Sequence, residues 1–331
     1  MEDVIIIGAG PCGLSAAGEF KKRGIDPLVI EKGSIVHSIY GYPLNMRFFS
    51  TPELLEIVDV PFIVSGEKPT REEALVYYRE VASRSALRIH TYEEVVKIEQ
   101  EAGGFSVQTV KHNGKTSGGE YQTYRAKNVV AATGYFDNPN LMNVPGEELE
   151  KVNHYYKEAH IYYGQKVAII GGSNNAVEAA IEIERAGGQV TWIYRRGDFS
   201  SSIKAWVRPV FESLLRKERI QAMWNTNVVR IDEKTITLNR EGQEITIEND
   251  RVLALTGYHP DHKLLRSLGV EINGETGEPV YNEETMETNV QGLFIAGVIA
   301  AGNNANVIFI ENGRLHGGLI ADEIARRIEQ A

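Results

Sequence analysis

The stretch Val4-Ile5-Ile6-Ile7-Gly8-Ala9-Gly10-Pro11-Cys12-Gly13 decides the fold of this chain. Its apolar residues predict a buried strand, and its glycines predict a sharp turn into a helix. Such a turn lets a pyrophosphate approach bare backbone N–H groups at the positive end of the helix. The stretch therefore predicts the start of a βαβ unit that binds a dinucleotide.

The residue that ends the second strand of this unit indicates which dinucleotide binds. A helix is predicted over 14–23 and a strand over 28–30, and the strand is followed by Glu31. A carboxylate at this position accepts hydrogen bonds from the ribose hydroxyls and repels a 2′-phosphate. The first site is therefore predicted to take FAD or NAD.

A second unit of the same kind begins at Val167-Ala168-Ile169-Ile170, which precedes Gly171-Gly172-Ser173-Asn174-Asn175-Ala176. A helix over 177–185 and a strand over 190–194 follow, and the strand ends in Arg195-Arg196. Guanidinium groups at the ribose position suit a phosphate, through charge-assisted hydrogen bonds. The second site is therefore predicted to take NADPH, although Ser173 stands where the middle glycine is usual.

Composition excludes several classes of protein. The net charge of −10 and pI near 5.4 argue against a nucleic-acid partner. No apolar stretch approaches the roughly 20 residues of a membrane span, so no membrane partner and a cytoplasmic location are predicted. Cys12 is the only cysteine, which excludes a disulfide, a C-x-x-C pair or a thiolate cluster within one subunit. The eight histidines show no metal-ligand spacing, so no bound metal is predicted.

The chain repeats its organisation. After each dinucleotide unit come alternating strands broken by polar turns, and then an apolar strand that ends in Thr-Gly. We predict an α/β fold with two Rossmann-like doubly wound dinucleotide-binding domains, each with a β-meander. Residues 1–150 and 260–331 form the predicted FAD domain, and residues 151–259 form a predicted NADPH domain inserted into it. The first meander is predicted to have its tip at 113–119.

The C-terminal part of the chain is predicted to return to the FAD domain. It contains the apolar strand and turn Gly292-Leu293-Phe294-Ile295-Ala296-Gly297 and then a helix over about 312–328. The positive N-terminus of this helix is expected to point at the flavin and to stabilise its reduced anionic form.

These motifs resemble those of the two-dinucleotide flavoprotein disulfide reductases along almost the whole chain. The layout resembles low-molecular-weight thioredoxin reductases, but the C-x-x-C pair of those enzymes is missing and Val298 stands where they have Asp. The closer resemblance is to the YpdA-type bacillithiol-disulfide reductases. It is carried by Cys12 and by the segments 202–207, 297–303 and 310–313. The resemblance implies a homo-oligomeric enzyme that reduces bacillithiol disulfide with NADPH.

Two other functions remain open at this point. Segment 46–62 resembles the corresponding region of flavin-dependent monooxygenases. Their Phe-x-Gly-x-x-x-His linker signature is not matched, because Glu148 and Glu150 stand at the Phe and Gly positions counted back from His154. The remaining function is that of a redox-sensing or electron-relay protein that only binds FAD.

Cys12 and His316 are the catalytic candidates. Cys12 stands at the start of the first helix, where the helix dipole is expected to lower the thiol pKa and favour a nucleophilic thiolate. The alternative is a small side chain that fills a crowded turn. His316, near the start of the last helix, is a candidate proton donor, and the alternative is an ordinary helix-face histidine.

The remaining predicted site residues bind cofactors. Those predicted for FAD are Gly8, Gly10, Pro11, Cys12, Gly13, Glu31, Lys32, Asn45, Thr133, Gly134, Gly297 and Val298. Those predicted for NADPH are Gly171, Gly172, Ser173, Asn174, Asn175, Ala176, Tyr194, Arg195, Arg196, Lys204, Thr256 and Gly257.

Overall fold

The structure is a computed structural model that describes residues 1–111 and 119–330. Residues 113–118 of the predicted first meander tip therefore lie outside the described residues. The strands are β1 Glu2–Ile7, β2 Leu28–Glu31, β3 Arg88–Thr91, β4 Glu93–Glu101, β5 Gly104–Lys111, β6 Glu120–Ala131, β7 Val152–Asn153, β8 Lys166–Ile170, β9 Gln189–Ile193, β10 Ile220–Met223, β11 Thr226–Ile231, β12 Thr235–Arg240, β13 Gln243–Glu248, β14 Arg251–Ala254 and β15 Leu293–Ile295. The α-helices are α1 Pro11–Lys22, α2 His37–Gly41, α3 Pro52–Leu55, α4 Arg71–Arg84, α5 Asn174–Arg185, α6 Arg208–Arg216, α7 Lys263–Ser267, α8 Ile310–Gly313 and α9 His316–Glu329. Short 3-10 helices span His160–Tyr162, Gly297–Ala300 and Ala305–Val307.

The first compact unit comprises Met1–Tyr40, Met46–Asn138 and His259–Ala331. Its parallel sheet has the order β3-β2-β1-β6-β15, and the antiparallel strands β4 and β5 continue from β6. The long strand β6 therefore serves both the parallel sheet and the meander. Because β1 and β15 both pair with β6, their carboxyl ends meet at one edge of the sheet.

Helix α1 covers the strands of the first unit with an apolar face, and its buried residues include Leu14 and Phe20. Helix α9 packs against α1 so closely that a Cβ on Gly317 would overlap the backbone of Ala16. The C-terminal helix is thereby fixed beside the helix that follows the first glycine loop.

The second compact unit comprises Gly41–Asn45 and Pro139–Tyr258. Its parallel sheet has the order β10-β9-β8-β14-β7, and β11, β12 and β13 form a separate antiparallel meander. The core contains an aromatic cluster in which Trp192, with no exposed surface, contacts Tyr194, Phe199, Phe211 and Trp224. The two units repeat one plan, which confirms the predicted α/β fold class with two Rossmann-like sheets and two meanders.

The division between the units differs from the predicted boundary at 150. Residues 139–150 belong to the second unit, where Asn140 N donates to Gly257 O at 2.9 Å. Just beyond the predicted boundary, Val152 in β7 pairs with Val252 in β14. Residues 139–150 contain few apolar residues, so no periodic pattern in the sequence indicated that they belong to the second unit.

The predicted C-terminal helix is two helices, α8 and α9, separated at Arg314 and Leu315. The hydroxyl of Ser15 in α1 donates to the Arg314 carbonyl at 2.7 Å. The Gly318 N–H donates to the Leu315 carbonyl and not to that of Arg314, four residues before it. The Arg314 carbonyl, at the break between the two helices, is therefore hydrogen-bonded by Ser15, which lies 299 positions away in sequence.

None of the helices in the described part of the chain combines the length and the apolar character needed to cross a bilayer.

Candidate functional site: two nucleotide loops and a histidine-bound turn

The first glycine loop joins β1 to α1, and no side chain caps the N-terminus of α1. Gly8 adopts φ +104° and its N–H donates to Ile30 O at 2.8 Å, which ties the loop to β2. Gly10 is the N-cap of α1 without a side-chain cap, and a Cβ on it would meet nothing within 4 Å. A Cβ on Gly13, by contrast, would overlap the Gly8 carbonyl. The loop is thus tightly packed inside and open outside, which is the form that a pyrophosphate needs.

Glu31, which is predicted to bind a ribose, ends β2. Its side chain is buried, and its two oxygens accept from Ala9 N at 2.8 Å and Gly33 N at 2.7 Å. Each carboxylate oxygen has a second lone pair for a ribose hydroxyl. The neighbouring predicted residue, Lys32, instead pairs with Asp137 at 2.8 Å, so its ammonium already has a carboxylate partner.

The other residues predicted for FAD lie mostly at the same sheet edge. Thr133-Gly134 follow β6 and Gly297-Val298 follow β15, and these strands pair in parallel next to β1. The segment 41–45, and Asn45 with it, belongs to the second unit, and its binding of FAD stays a prediction. There the neighbouring Leu44 N donates to Lys157 O at 2.9 Å.

Cys12 lies between two glycines of distant segments. A Cβ on Gly297 would stand 2.8 Å from its Sγ, and one on Gly313 would stand 3.0 Å away. Burial raises the pKa of the Cys12 thiol to about 12. This contradicts the predicted lowering of the pKa, because burial disfavours the charged thiolate.

Cys12 is expected to react slowly with iodoacetamide at pH 8. A thiol with a pKa of about 12 is deprotonated to roughly 10⁻⁴ at that pH, against roughly a quarter for an ordinary cysteine. We expect alkylation of the native protein at least about 10²-fold slower than that of the protein unfolded in guanidinium. Mass spectrometry counts the single adduct directly, because the chain has one cysteine. Equal rates for the native and unfolded protein would contradict the raised pKa.

His316 begins α9 and binds the turn that follows β15. The Gly297 N–H donates to His316 Nδ1 at 3.1 Å, so this nitrogen is an acceptor and the ring hydrogen is on Nε2. Burial lowers the pKa of His316, which favours the neutral ring. A second histidine, His262, binds the same turn through Ile299 O at 2.9 Å. Sequence analysis missed His262, which carries no motif and lies 37 residues from its partner.

The second glycine loop joins β8 to α5 and has the same form. Gly171 adopts φ +137°, and Ala176 at the third glycine position is buried. Ser173 is the N-cap of α5, and its exposed hydroxyl makes no cap hydrogen bond. Asn175 is exposed beside it. The serine in place of glycine therefore leaves the loop open and places a hydroxyl at its rim.

The Thr-Gly segment that follows β14 lies beside this loop, because β14 pairs with β8. Thr256 Oγ1 donates to Asn140 O at 2.5 Å, and Gly257 O accepts from Asn140 N at 2.9 Å. The structure thus brings Thr256 and Gly257 to the edge of the sheet that carries the second glycine loop.

The two arginines that follow β9, predicted to bind a 2′-phosphate, are exposed. Within the described part of the chain, the guanidinium groups of Arg195 and Arg196 form no ion pair or hydrogen bond. Tyr194 before them is buried, and its ring lies where a Cβ on Gly172 would be. Two unpaired cations remain available for a phosphate.

Lys204, unlike the two arginines, already has a carboxylate partner. Its Nζ pairs with Glu178 Oε1 at 2.8 Å, and its side chain is only 10% exposed. Asn174 binds the backbone of the same segment, since its amide donates to Ser202 O and accepts from Lys204 N, both at 2.8 Å. Asn174 and Lys204 therefore hold segment 202–204 against α5 in this structure. Sequence reasoning missed Glu178, which lies one turn into the helix from Asn174.

The residues of both sites fit the predicted cofactors. The first loop has an open cradle at Gly10 beside a buried carboxylate, and the second has an uncapped helix start beside two free guanidinium groups. A carboxylate selects an unphosphorylated ribose, and a guanidinium pair selects a 2′-phosphate. Among the residues that the structure describes, no group of three or more histidine, cysteine or acidic side chains is arranged to hold a metal ion.

Comparisons with known proteins support this geometry. Residues 5–297 match the family model described as pyridine nucleotide-disulphide oxidoreductase. The chain is 52% identical over 328 residues, or 98% of each chain, to the bacilliredoxin reductase Bdr of Bacillus subtilis strain 168. Two solved structures, the bacillithiol disulfide reductases Bdr (YpdA) of Bacillus cereus and Staphylococcus aureus, match with TM-scores of 0.95 and 0.93. Their identities are 53% and 48%; the matches cover 98% of this chain in each case, with 99% and 98% of the two solved chains.

Proposed function

The chain belongs to the pyridine nucleotide-disulphide oxidoreductase family, and we propose that it uses NADPH and FAD to reduce a low-molecular-weight disulfide, bacillithiol disulfide. The family membership confirms the resemblance carried by its sequence motifs, and the chain is an oxidoreductase. The observation that carries the assignment of the two cofactors is the contrast between their ribose positions. Glu31 is a buried carboxylate in the first unit, and Arg195 and Arg196 are free cations in the second.

The reaction converts NADPH, a proton and a disulfide into NADP⁺ and two thiols. When bound, FAD accepts a hydride from NADPH and supplies two electrons to the disulfide. The chain contributes binding and orientation: the two glycine loops hold the pyrophosphates, Glu31 holds one ribose, and the arginine pair holds the 2′-phosphate of the other. The substrate of the B. cereus and S. aureus relatives, as their names state it, supports the choice of bacillithiol disulfide.

Cys12 is the thiol we propose for the attack on the disulfide, because it is the only one in the chain and it lies beside the turn at Gly297. Its sulfur would displace one thiol and form a mixed disulfide, and two electrons that originate from NADPH would then release the second thiol. Since its pKa is about 12, the thiol is protonated below that pH and must lose its proton as it attacks. The rate of this step is therefore expected to rise with pH.

Anaerobic stopped-flow mixing tests the proposal. NADPH is expected to bleach the flavin of the purified protein, and bacillithiol disulfide is expected to restore its colour. No bleaching would leave only an FAD-binding protein, and oxygen consumption with an oxygenated product would identify a monooxygenase. Oxidised bacilliredoxin is the second acceptor to test, because the B. subtilis relative is named for it. If only oxidised bacilliredoxin restores the flavin colour, the substrate is a protein disulfide and not the proposed small-molecule disulfide.

The same assay with Cys12→Ala tests the role of the thiol. Bleaching by NADPH is expected at the wild-type rate, because hydride transfer does not need the thiol, and disulfide reduction is expected to be lost. Wild-type disulfide turnover by this variant would assign Cys12 to packing between Gly297 and Gly313.

Two further expectations belong to the same proposal. A homo-oligomer is what the family resemblance implies. A cytoplasmic location is supported by the single cysteine, since a chain with one thiol does not depend on an oxidising compartment.

A further inference from the structure

Two histidines from different segments bind the backbone of the turn Gly297–Ala300. At its start, the Gly297 N–H donates to Nδ1 of His316 at 3.1 Å. Near its end, Nε2 of His262 lies 2.9 Å from the Ile299 carbonyl, which can only accept, so His262 is the donor. One ring accepts from the turn and the other donates to it.

The chemistry of these two contacts requires neutral rings with defined tautomers. His262 has 6% exposure, and burial is the largest cause of a lowered pKa for both histidines. A neutral His316 can accept at Nδ1 and keeps its hydrogen on Nε2, and His262 also carries its hydrogen on Nε2. Both hydrogen bonds are therefore satisfied at neutral pH while both rings are neutral.

The turn has little freedom to move while these contacts are made. Gly297 has φ +78°, in the left-handed region, and its Cα faces the sulfur of Cys12 closely enough that a Cβ would stand 2.8 Å from it. The turn directly follows β15, whose carboxyl end lies beside those of β6 and β1. Its backbone position is thus fixed by the sheet before it, by Cys12 on one side and by the two histidines.

We propose that His262 and His316 are positioning residues that hold the Gly297–Ala300 turn in the conformation that binds the flavin. The inference rests on the proposed function, which places FAD in the first unit, with Gly297 and Val298 among its contacts. It assigns His316 to the backbone of the turn rather than to proton donation. It also gives a role to His262, which lies outside every glycine motif.

The test exploits the different reach of asparagine and glutamine. An asparagine carbonyl lies near the position of imidazole Nδ1, and a glutamine amide nitrogen lies near that of Nε2. His316→Asn and His262→Gln therefore retain the hydrogen bonds, and the swapped variants His316→Gln and His262→Asn lose them. All four are neutral and polar, so they compare geometry without a change in charge. His160→Ala, at an exposed position of the second unit, is the control.

The readouts are the dissociation constant of FAD, from titration of the flavin-stripped protein, and the midpoint potential of the bound flavin. We expect His316→Asn and His262→Gln to match the wild type, and each swapped variant to bind FAD about tenfold more weakly with a shifted potential. Wild-type affinity and potential in the swapped variants would overturn the proposal. Equal losses in all four variants would also overturn it, because they would indicate ring packing instead of hydrogen bonding. A wild-type protein that binds no FAD would instead refute the proposed function.

Discussion

Replacing both Arg195 and Arg196 by alanine is expected to lower the preference for NADPH over NADH by roughly 30-fold to 10⁴-fold. Each lost charge-assisted hydrogen bond to the 2′-phosphate costs roughly 1 to 3 kcal/mol, and two are lost. NADH has no 2′-phosphate, so its binding should change little. The folded protein should also keep its stability, because both side chains are exposed and make no ion pair among the described residues.

The measurement is the ratio of kcat/KM for the two nucleotides, taken from the rate of flavin bleaching under anaerobic conditions. Arg208→Ala is the matched control: this nearby arginine is exposed, but it pairs with Glu212 at 2.7 Å and stacks on Phe199 at 4.8 Å. The Arg208→Ala variant removes a positive charge from the same unit, but this charge already has a carboxylate partner. An equal loss for NADPH and NADH in the double variant would show that the arginines do not read the 2′-phosphate.

Much of the fold was predictable because it follows from local chemistry. An apolar run, a glycine turn and an amphipathic helix are encoded within about 30 consecutive residues, and both βαβ units were predicted from such stretches. The residues at the ends of the strands were predictable for the same reason. Glu31, Arg195 and Arg196 stand at fixed positions after the glycine loops. In the structure Glu31 ends β2, and the two arginines follow β9 with Tyr194 between.

The features that could not be predicted depend on partners far away in sequence. The Ser15 hydroxyl donates to the Arg314 carbonyl at the break between α8 and α9, where one continuous helix was predicted. Lys204 has the pattern of a phosphate ligand, but Glu178 in α5 pairs with it. The pKa of Cys12 depends on burial against Gly297 and Gly313, which no local rule about helix N-termini contains. Tertiary packing decided each of these outcomes.

The first glycine loop contains a matched pair of substitutions with opposite expected effects. Gly13→Ala should destabilise the protein by about 1–3 kcal/mol or more, because its Cβ would overlap the Gly8 carbonyl and a backbone atom of the β1–α1 turn cannot move freely. Gly10→Ala should cost no more than about 1 kcal/mol, the loss expected for alanine at a helix N-cap, because its Cβ meets nothing within 4 Å and its φ of −73° suits alanine.

FAD affinity should respond in the opposite order, because Gly10→Ala, the variant with the smaller effect on stability, should weaken FAD binding. The added methyl of Gly10→Ala would occupy the open space over the N-terminus of α1, where the pyrophosphate is expected, and affinity should fall roughly 10- to 100-fold as a charge-assisted hydrogen bond is lost. Thermal unfolding of the flavin-stripped proteins and FAD titration measure the two effects separately. Wild-type FAD affinity in Gly10→Ala would mean that the pyrophosphate lies elsewhere. A stable Gly13→Ala protein would mean that the contact between Gly13 and Gly8 can relax, and that the loop tolerates a side chain where strand and helix meet.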